Sequence, residues 1–233
     1  MDTLNRSSQL ANWATCVLSC FCRPGHFQSS FPIVGSYLVR TGYDVREQTI
    51  KVRRPYAIDF PAMLEISNWA TCNTTANFRF EAETLEHWVQ LSQGKPEIYP
   101  WFVAERDGHV VGFTMASPFK DRCGFAPTAE VSVYIHPDHV GTGIGSALYQ
   151  KLIPTLAAQG FQSLVAAITV PNAGSERLRE QFGFRRVGVL LRVGWKFGRR
   201  HDVSSWQLLL GNDEAAPVVL KSVSEAESLD ATS

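Results

Sequence analysis

Apolar residues recur at every second position in some stretches of the chain and at every third or fourth in others, and the changes of period mark out its elements. Between Glu130 and His136, Val131, Val133 and Ile135 alternate with Ser132, Tyr134 and His136, which predicts a strand. Pro137, with no donor for a sheet ladder, ends it. Three glycines follow at every second position, Gly141, Gly143 and Gly145, and then Ile144, Leu148, Leu152 and Leu156 repeat at helical spacing up to Gly160. Pro154 inside that helix predicts a kink. Upstream, Ile50 to Arg53 alternates like an edge strand. Asp59 is placed to cap a helix with Pro61 in its first turn and Met63, Leu64 and Ile66 on its apolar face. Asn73-Thr74-Thr75 breaks that helix, and a second one, carrying Trp88 and Leu91, runs from about Thr84 to Gly94. Two strands, Pro100 to Glu105 and Val110 to Ser117, flank Asp107-Gly108, a strong hairpin signal. Downstream, Ser163 to Val170 is a nearly unbroken apolar run, as in a strand covered on both faces. Asn172 opens a further helix with Leu178 and Phe182 inward, and Val187–Val193 and Ser204–Leu210 read as the last strands. The sum is an α/β chain with a mixed sheet.

Composition refines this picture. The 233 residues suit one domain with a full core, assigned to residues 49–210. Residues 1–48 hold little charge and no sustained period, and read as a flexible extension. Residues 211–233 carry five acidic side chains against one lysine, and predict an acidic, disordered tail. Lys and Arg balance Asp and Glu at 22 each, which argues against a generic nucleic-acid binder. No apolar run approaches the roughly 20 residues that cross a bilayer. Five cysteines are an odd number, and Cys16, Cys20 and Cys22, with His26 nearby, lack a recognisable metal-ligand spacing. No metal site and a reducing compartment are therefore expected.

The order strand, glycine turn, helix has a chemical use. A helix start leaves backbone N–H groups unpaired at the positive end of the macrodipole, and glycines let a bulky anion lie directly on them. The spacing is neither that of the dinucleotide fingerprint nor that of a P-loop, which needs a following Lys-Ser/Thr pair.

The same residues resemble the acetyl-CoA site of the GNAT N-acetyltransferases, and most of all the branch that acetylates phosphinothricin, methionine sulfone and methionine sulfoximine. The resemblance also includes Asn73-Thr74-Thr75-Ala76, Asn77-Phe78-Arg79, Pro171-Asn172, Phe182-Gly183-Phe184, Gly194-Trp195-Lys196-Phe197-Gly198-Arg199 and His201-Asp202, in order over roughly residues 50 to 210. It implies the GNAT fold, in which two central parallel strands, here Glu130–His136 and Ser163–Val170, splay apart. It implies acetyl-CoA as co-substrate, held by Val133, Tyr134 and Ile135 on the strand, by Gly141, Thr142, Gly143, Ile144, Gly145 and Ser146 in the turn, and by Asn172. Glu130 is implied as the general base. Arg79, Lys120, Asp121, Arg122, Val131 and Ser132 are implied on the side of a small amino-acid acceptor. Trp195, Phe197 and Trp206 are expected in the core or a subunit interface, since relatives are often homodimers. A cytoplasmic location completes the expectation.

The chain departs from the family in three places. Val140 stands where the turn usually starts with Arg or Gln, and Thr142 where relatives often have Arg or Lys. Arg179 replaces a Tyr or His thought to protonate the departing thiolate, and Arg hardly deprotonates. These changes leave open a different amine acceptor, or a protein that binds coenzyme A without catalysis.

Overall fold

A computed structural model describes residues 49–94, 97–211 and 219–230. The extension at 1–48, with Cys16, Cys20, Cys22 and His26, lies outside the described residues.

Seven strands make one sheet: β1 (Lys51–Arg53), β2 (Trp101–Arg106), β3 (His109–Pro118), β4 (Thr128–Ile135), β5 (Ser163–Val170), β6 (Arg185–Lys196) and β7 (Arg199–Leu209), in the order β1-β2-β3-β4-β5-β7-β6. Only β4 and β5 are parallel. Asp107 and Gly108 join β2 to β3 with φ of 51° and 81°, the positive pair that a two-residue hairpin of this twist requires. Strand alternation then sends neighbouring residues to opposite faces. Phe102, Ala104, Val131, Leu164 and Ala166 face one core, and Trp101, Val103 and Phe113 face the other. A bulge in β3 makes the register skip from Gly112 to Val110. Val111 and Gly112 therefore both face the first core, although the two are adjacent in sequence.

Each face is covered by helices. On one, α1 (Phe60–Asn73) and α2 (Leu85–Gly94) supply Phe60, Met63, Ile66 and Trp88. On the other, α3 (Ile144–Gln159) buries Ile144, Leu148, Leu152 and Leu156 completely. Each of these side chains contributes about 1.5–3 kcal/mol of hydrophobic stabilisation. The start of α3 sits unusually close to the sheet. A Cβ at Gly112 would stand 2.9 Å from Ile144 Cγ2, and one at Gly145 would stand 2.9 Å from Leu178 Cδ2 on α4 (Ala173–Gln181).

Three features differ from the sequence reading. Asp59 makes no side-chain cap on α1. Its carboxylate accepts from the Tyr56 backbone N–H at 2.7 Å and from Arg53 at 2.6 Å, and Arg53 also bonds Glu105. The Arg53 bond comes first among the causes that hold the Asp59 carboxyl below its ordinary range. β6 and β7 extend well beyond the predicted strands, because they pair as one long hairpin closed at Phe197-Gly198.

The third difference is the tail, which is not disordered over residues 219–230. Val223–Asp230 forms α5, with Val223 and Ala226 buried. Ser222 and Glu225 cap it reciprocally: the Glu225 carboxylate accepts from Ser222 N at 2.7 Å, and Ser222 Oγ accepts from Glu225 N at 3.2 Å. Lys151 of α3 pairs with Glu227 at 3.1 Å. Fully buried Gln159 donates from Nε2 to the carbonyls of Ile98 and Lys221, at 3.0 and 2.9 Å. The acidic composition was misleading because two small apolar residues and a capping box suffice to dock so short a helix. Gln159→Leu should therefore destabilise the fold by about 2–3 kcal/mol, as carbonyls lose their donor away from water. Chemical denaturation checks this.

Candidate active site

β4 carries the site because its two edges have different fates. One edge pairs with β3 over its whole length, from Ala129 opposite Pro118 to Ile135 opposite Gly112. The other pairs with β5 only at Thr128, Ala129 and Glu130. Beyond Glu130 the strands part, as the resemblance implied. The N–H of His136 donates to Val111 O on β3. By strand alternation those of Ser132 and Tyr134 turn the same way, and those of Val133 and Ile135 turn into the gap. Backbone groups left open in this way are ready to take an extended ligand as an added strand.

Side chains follow the same alternation. Val131 is buried in the α3 core, and Val133 and Ile135 pack against it. Val131, expected on the substrate side, thus faces the core, and its neighbours Glu130, Ser132 and Tyr134 face the other way. They line a cavity of about 280 Å³ together with Asn77, Arg79, Glu83, Trp88, Trp101, Met115 and Ser117. Tyr134, expected with the cofactor, turns its side chain into this cavity and its N–H toward β3. Lys120, Asp121 and Arg122 lie exposed on the loop before β4 and are absent from the lining, with Lys120 over the rings of Phe119 and Phe125.

Burial sets the electrostatics of the cavity. It pushes the Glu130 carboxyl above the ordinary carboxylate range. It also pushes the Tyr134 hydroxyl up, against the opposing pull of the Asn77 amide and the Arg79 charge. Arg79 forms an ion pair with Glu83, whose other oxygen accepts from Trp88 Nε1 at 3.2 Å. The cavity thus holds two carboxylates, that of Glu83 paired with Arg79 and that of Glu130 held above its ordinary range, among aromatic, apolar and polar side chains.

The segment that brings Asn77 and Arg79 here is pinned from several elements. Asn77 Nδ2 donates to Thr71 Oγ1 on α1 at 3.1 Å. Buried Lys196 of β6 donates to Asn77 O at 2.9 Å, and Thr169 of β5 to Thr75 O at 2.7 Å. Phe78 lies directly on Gly194, where a Cβ would stand 2.2 Å from its ring. This contact explains a glycine in the middle of a strand. Asn77, Glu83, Trp88 and Trp101 were not among the site residues read from the sequence. Asn77 had a signal in its place beside Phe78-Arg79, whereas the others meet only through folding.

At the far end of the gap, Gly141 and Gly143 adopt φ of 80° and 85°, with open space where a Cβ would project. Gly143 stands at the N-cap of α3 without a side-chain cap, so the N–H groups of the first turn face outward unpaired. Ile144 contributes only backbone there, since its side chain is core. The Thr142 hydroxyl donates to His139 O, and that of Ser146 to Gln181 Oε1. Asn172 caps α4 by accepting from Ser175 N at 3.1 Å, which leaves its amide nitrogen for another partner. Arg179 is buried with its guanidinium 5.2 Å from the centre of the Tyr149 ring. Trp206 is core, whereas Trp195 and Phe197 are exposed. An unpaired strand edge leading to an anion cradle fits the amides and diphosphate of coenzyme A.

Residues 63–184 match the model of the acetyltransferase (GNAT) family. The chain belongs to the GNAT family. As a GNAT protein it is an acetyl-CoA-dependent N-acetyltransferase. It is similar to a phosphinothricin N-acetyltransferase of Streptomyces viridochromogenes, 39% identical over 158 residues that cover 68% of this chain and 86% of the relative. It is also similar to an L-methionine sulfoximine/L-methionine sulfone acetyltransferase of Salmonella typhimurium, 34% identical over 68% of this chain and 93% of the relative. Among solved structures, a GNAT phosphinothricin acetyltransferase of Sinorhizobium meliloti in complex with acetyl-CoA superposes with a TM-score of 0.70 at 29% identity, covering 73% of this chain and 94% of that one.

In this GNAT enzyme the Phe78–Gly194 contact fixes how far Arg79 enters the cavity. Gly194→Ala should push the Asn77–Arg79 segment out. It should lower kcat/KM for the acceptor by about tenfold or more, since small misplacements at a reacting site are costly, while the affinity for coenzyme A holds. Steady-state kinetics beside calorimetric titration checks this.

Proposed function

We propose that this enzyme acetylates the α-amine of a small amino acid or analogue, of the phosphinothricin, methionine sulfone or methionine sulfoximine type. Transfer is direct, with Glu130 as general base. The observation that carries this reading is the position of Glu130, which lines the cavity at the last paired residue before β4 and β5 part. An acceptor amine in the cavity and a thioester in the gap would meet there. The names of the relatives from Streptomyces viridochromogenes and Salmonella typhimurium support the substrate class.

An α-amine is mostly protonated near neutral pH and has no lone pair to attack with. Acetyl-CoA supplies an activated acetyl group. Glu130 takes the proton from the amine, directly or through a water, and its raised pKa makes it a stronger base than an exposed carboxylate. The N–H of Val133, aimed into the gap, stabilises the negative charge that develops on the carbonyl oxygen. Arg79 orients the acceptor's acidic group, and Lys120 and Arg122 add positive charge on the loop outside the lining. Arg179 acts on the departing sulfur by charge rather than by proton transfer. Asn172 and the Gly141–Ser146 turn hold the co-substrate.

A homodimer is part of the same proposal. β6 presents Val187, Val189, Leu190, Leu191, Val193 and Trp195 to solvent, a continuous apolar row that a second copy would cover. The site of action is the cytoplasm, which suits cysteines read as reduced. Among the described residues no helix is long and apolar enough to cross a membrane.

Two experiments test the reading. Thiol release from acetyl-CoA should occur with one or more of phosphinothricin, methionine sulfone and methionine sulfoximine, and not with polyamines or a peptide amine. The rate should fall as pH drops through the raised Glu130 pKa, so the acid limb lies above the ordinary carboxylate range. Glu130→Gln should remove that limb and lower kcat by about 10²–10⁴-fold. Release with a polyamine alone would discard the acceptor class. In sedimentation experiments the chain should behave as a dimer, and the pair Leu191→Asp and Val193→Lys as a monomer.

A further inference from the structure

The turn at Gly141–Ser146 carries no cationic side chain of its own, yet a guanidinium stands beside it. Arg106, the last residue of β2, reaches Thr142 from 36 positions away in sequence. Its Nη1 lies 3.4 Å from Thr142 Oγ1 and its Nη2 lies 3.3 Å from Thr142 O. Both acceptors are neutral, and both contacts lie just beyond the roughly 2.7–3.2 Å usual for N–H···O bonds. Each leaves a second hydrogen on its terminal nitrogen, and Nε is buried without an acceptor. The neighbouring carboxylate, Glu105, is taken by Arg53 at 2.8 Å. Among the described residues no ion pair includes Arg106.

The guanidinium is therefore held at the turn without being satisfied by it. Its backbone is fixed, since Arg106 pairs with His109 in the closing register of the β2–β3 hairpin. The side chain thus starts from a rigid element. The unpaired N–H groups at the start of α3 and the two remaining Nη hydrogens of Arg106 belong to different elements and meet at Thr142 and Gly143.

We propose that Arg106 is the diphosphate-binding cation of this enzyme, supplying from β2 the charge missing at Val140 and Thr142. The inference rests on the reading of Gly141–Ser146 as the coenzyme A diphosphate site. The guanidinium fork meets two phosphate oxygens at once, which a lysine at the same place cannot do.

Calorimetric titration of the full chain with coenzyme A, dephospho-coenzyme A and pantetheine tests the proposal. The second ligand lacks the 3′-phosphate, and the third lacks the diphosphate as well. Arg106→Gln should weaken coenzyme A and dephospho-coenzyme A alike, by about tenfold or more, and leave pantetheine unchanged. Arg106→Lys should lose less on the same two ligands. If Arg106→Gln does not fold, the lysine variant is read in the same way. Loss for coenzyme A alone would make Arg106 a reader of the 3′-phosphate and overturn the proposal. Equal loss for all three ligands would make it a structural prop and overturn it too. Unchanged affinities in a variant of a protein that binds coenzyme A would overturn it and leave the reading of the fold standing. A native chain that binds no coenzyme A would overturn both.

Discussion

After Glu130, β4 has no partner on one side, and the site is built around that edge. Each of the two strands is paired along its other edge. β4 is zipped to β3 from end to end, and β5 pairs with β7 at every position from Ser163 to Val170. The sheet is in effect two halves joined by three residue pairs. A buried strand with unpaired N–H groups is costly, so the open edge is a stored demand for hydrogen bonds that a ligand with regularly spaced amides can meet.

That edge places the rest of the site. It opens at Glu130, the last residue paired with β5, whose side chain lines the cavity. It also leads to the turn where Gly141 and Gly143 take positive φ, and to a helix start brought close by Gly112 and Gly145. Opposite, the segment with Asn77 and Arg79 is tied to α1, β5 and β6 at once. The position of that segment thus depends in part on β6, which also carries exposed apolar side chains.

The departures from the family acquire a physical setting. Val140 is exposed, Thr142 bonds to His139 within its own turn, and the nearest cation comes from another strand. Arg179 is not a surface charge. It lies buried against Tyr149, where it can stabilise negative charge but not donate a proton.

Much was determined by the sequence alone. The change of period around Pro137, the Asp107-Gly108 pair and the run at Ser163–Val170 place the central elements, because periodicity reports which face of an element is buried. Alternation along β4 separated Glu130, Ser132 and Tyr134 from Val131, Val133 and Ile135 before any contact was known, although Val131 had been set with the substrate residues by resemblance. Tertiary structure decided what depends on distant segments meeting. Glu83, Trp88 and Trp101 share a cavity with Glu130, Arg106 reaches Thr142, and α5 docks by Val223, Ala226 and a capping box that its acidic composition concealed. Local pattern fixes the direction of each side chain relative to its own backbone. It carries no information on which other strand or loop will stand opposite, because that is set by register and packing across the whole sheet.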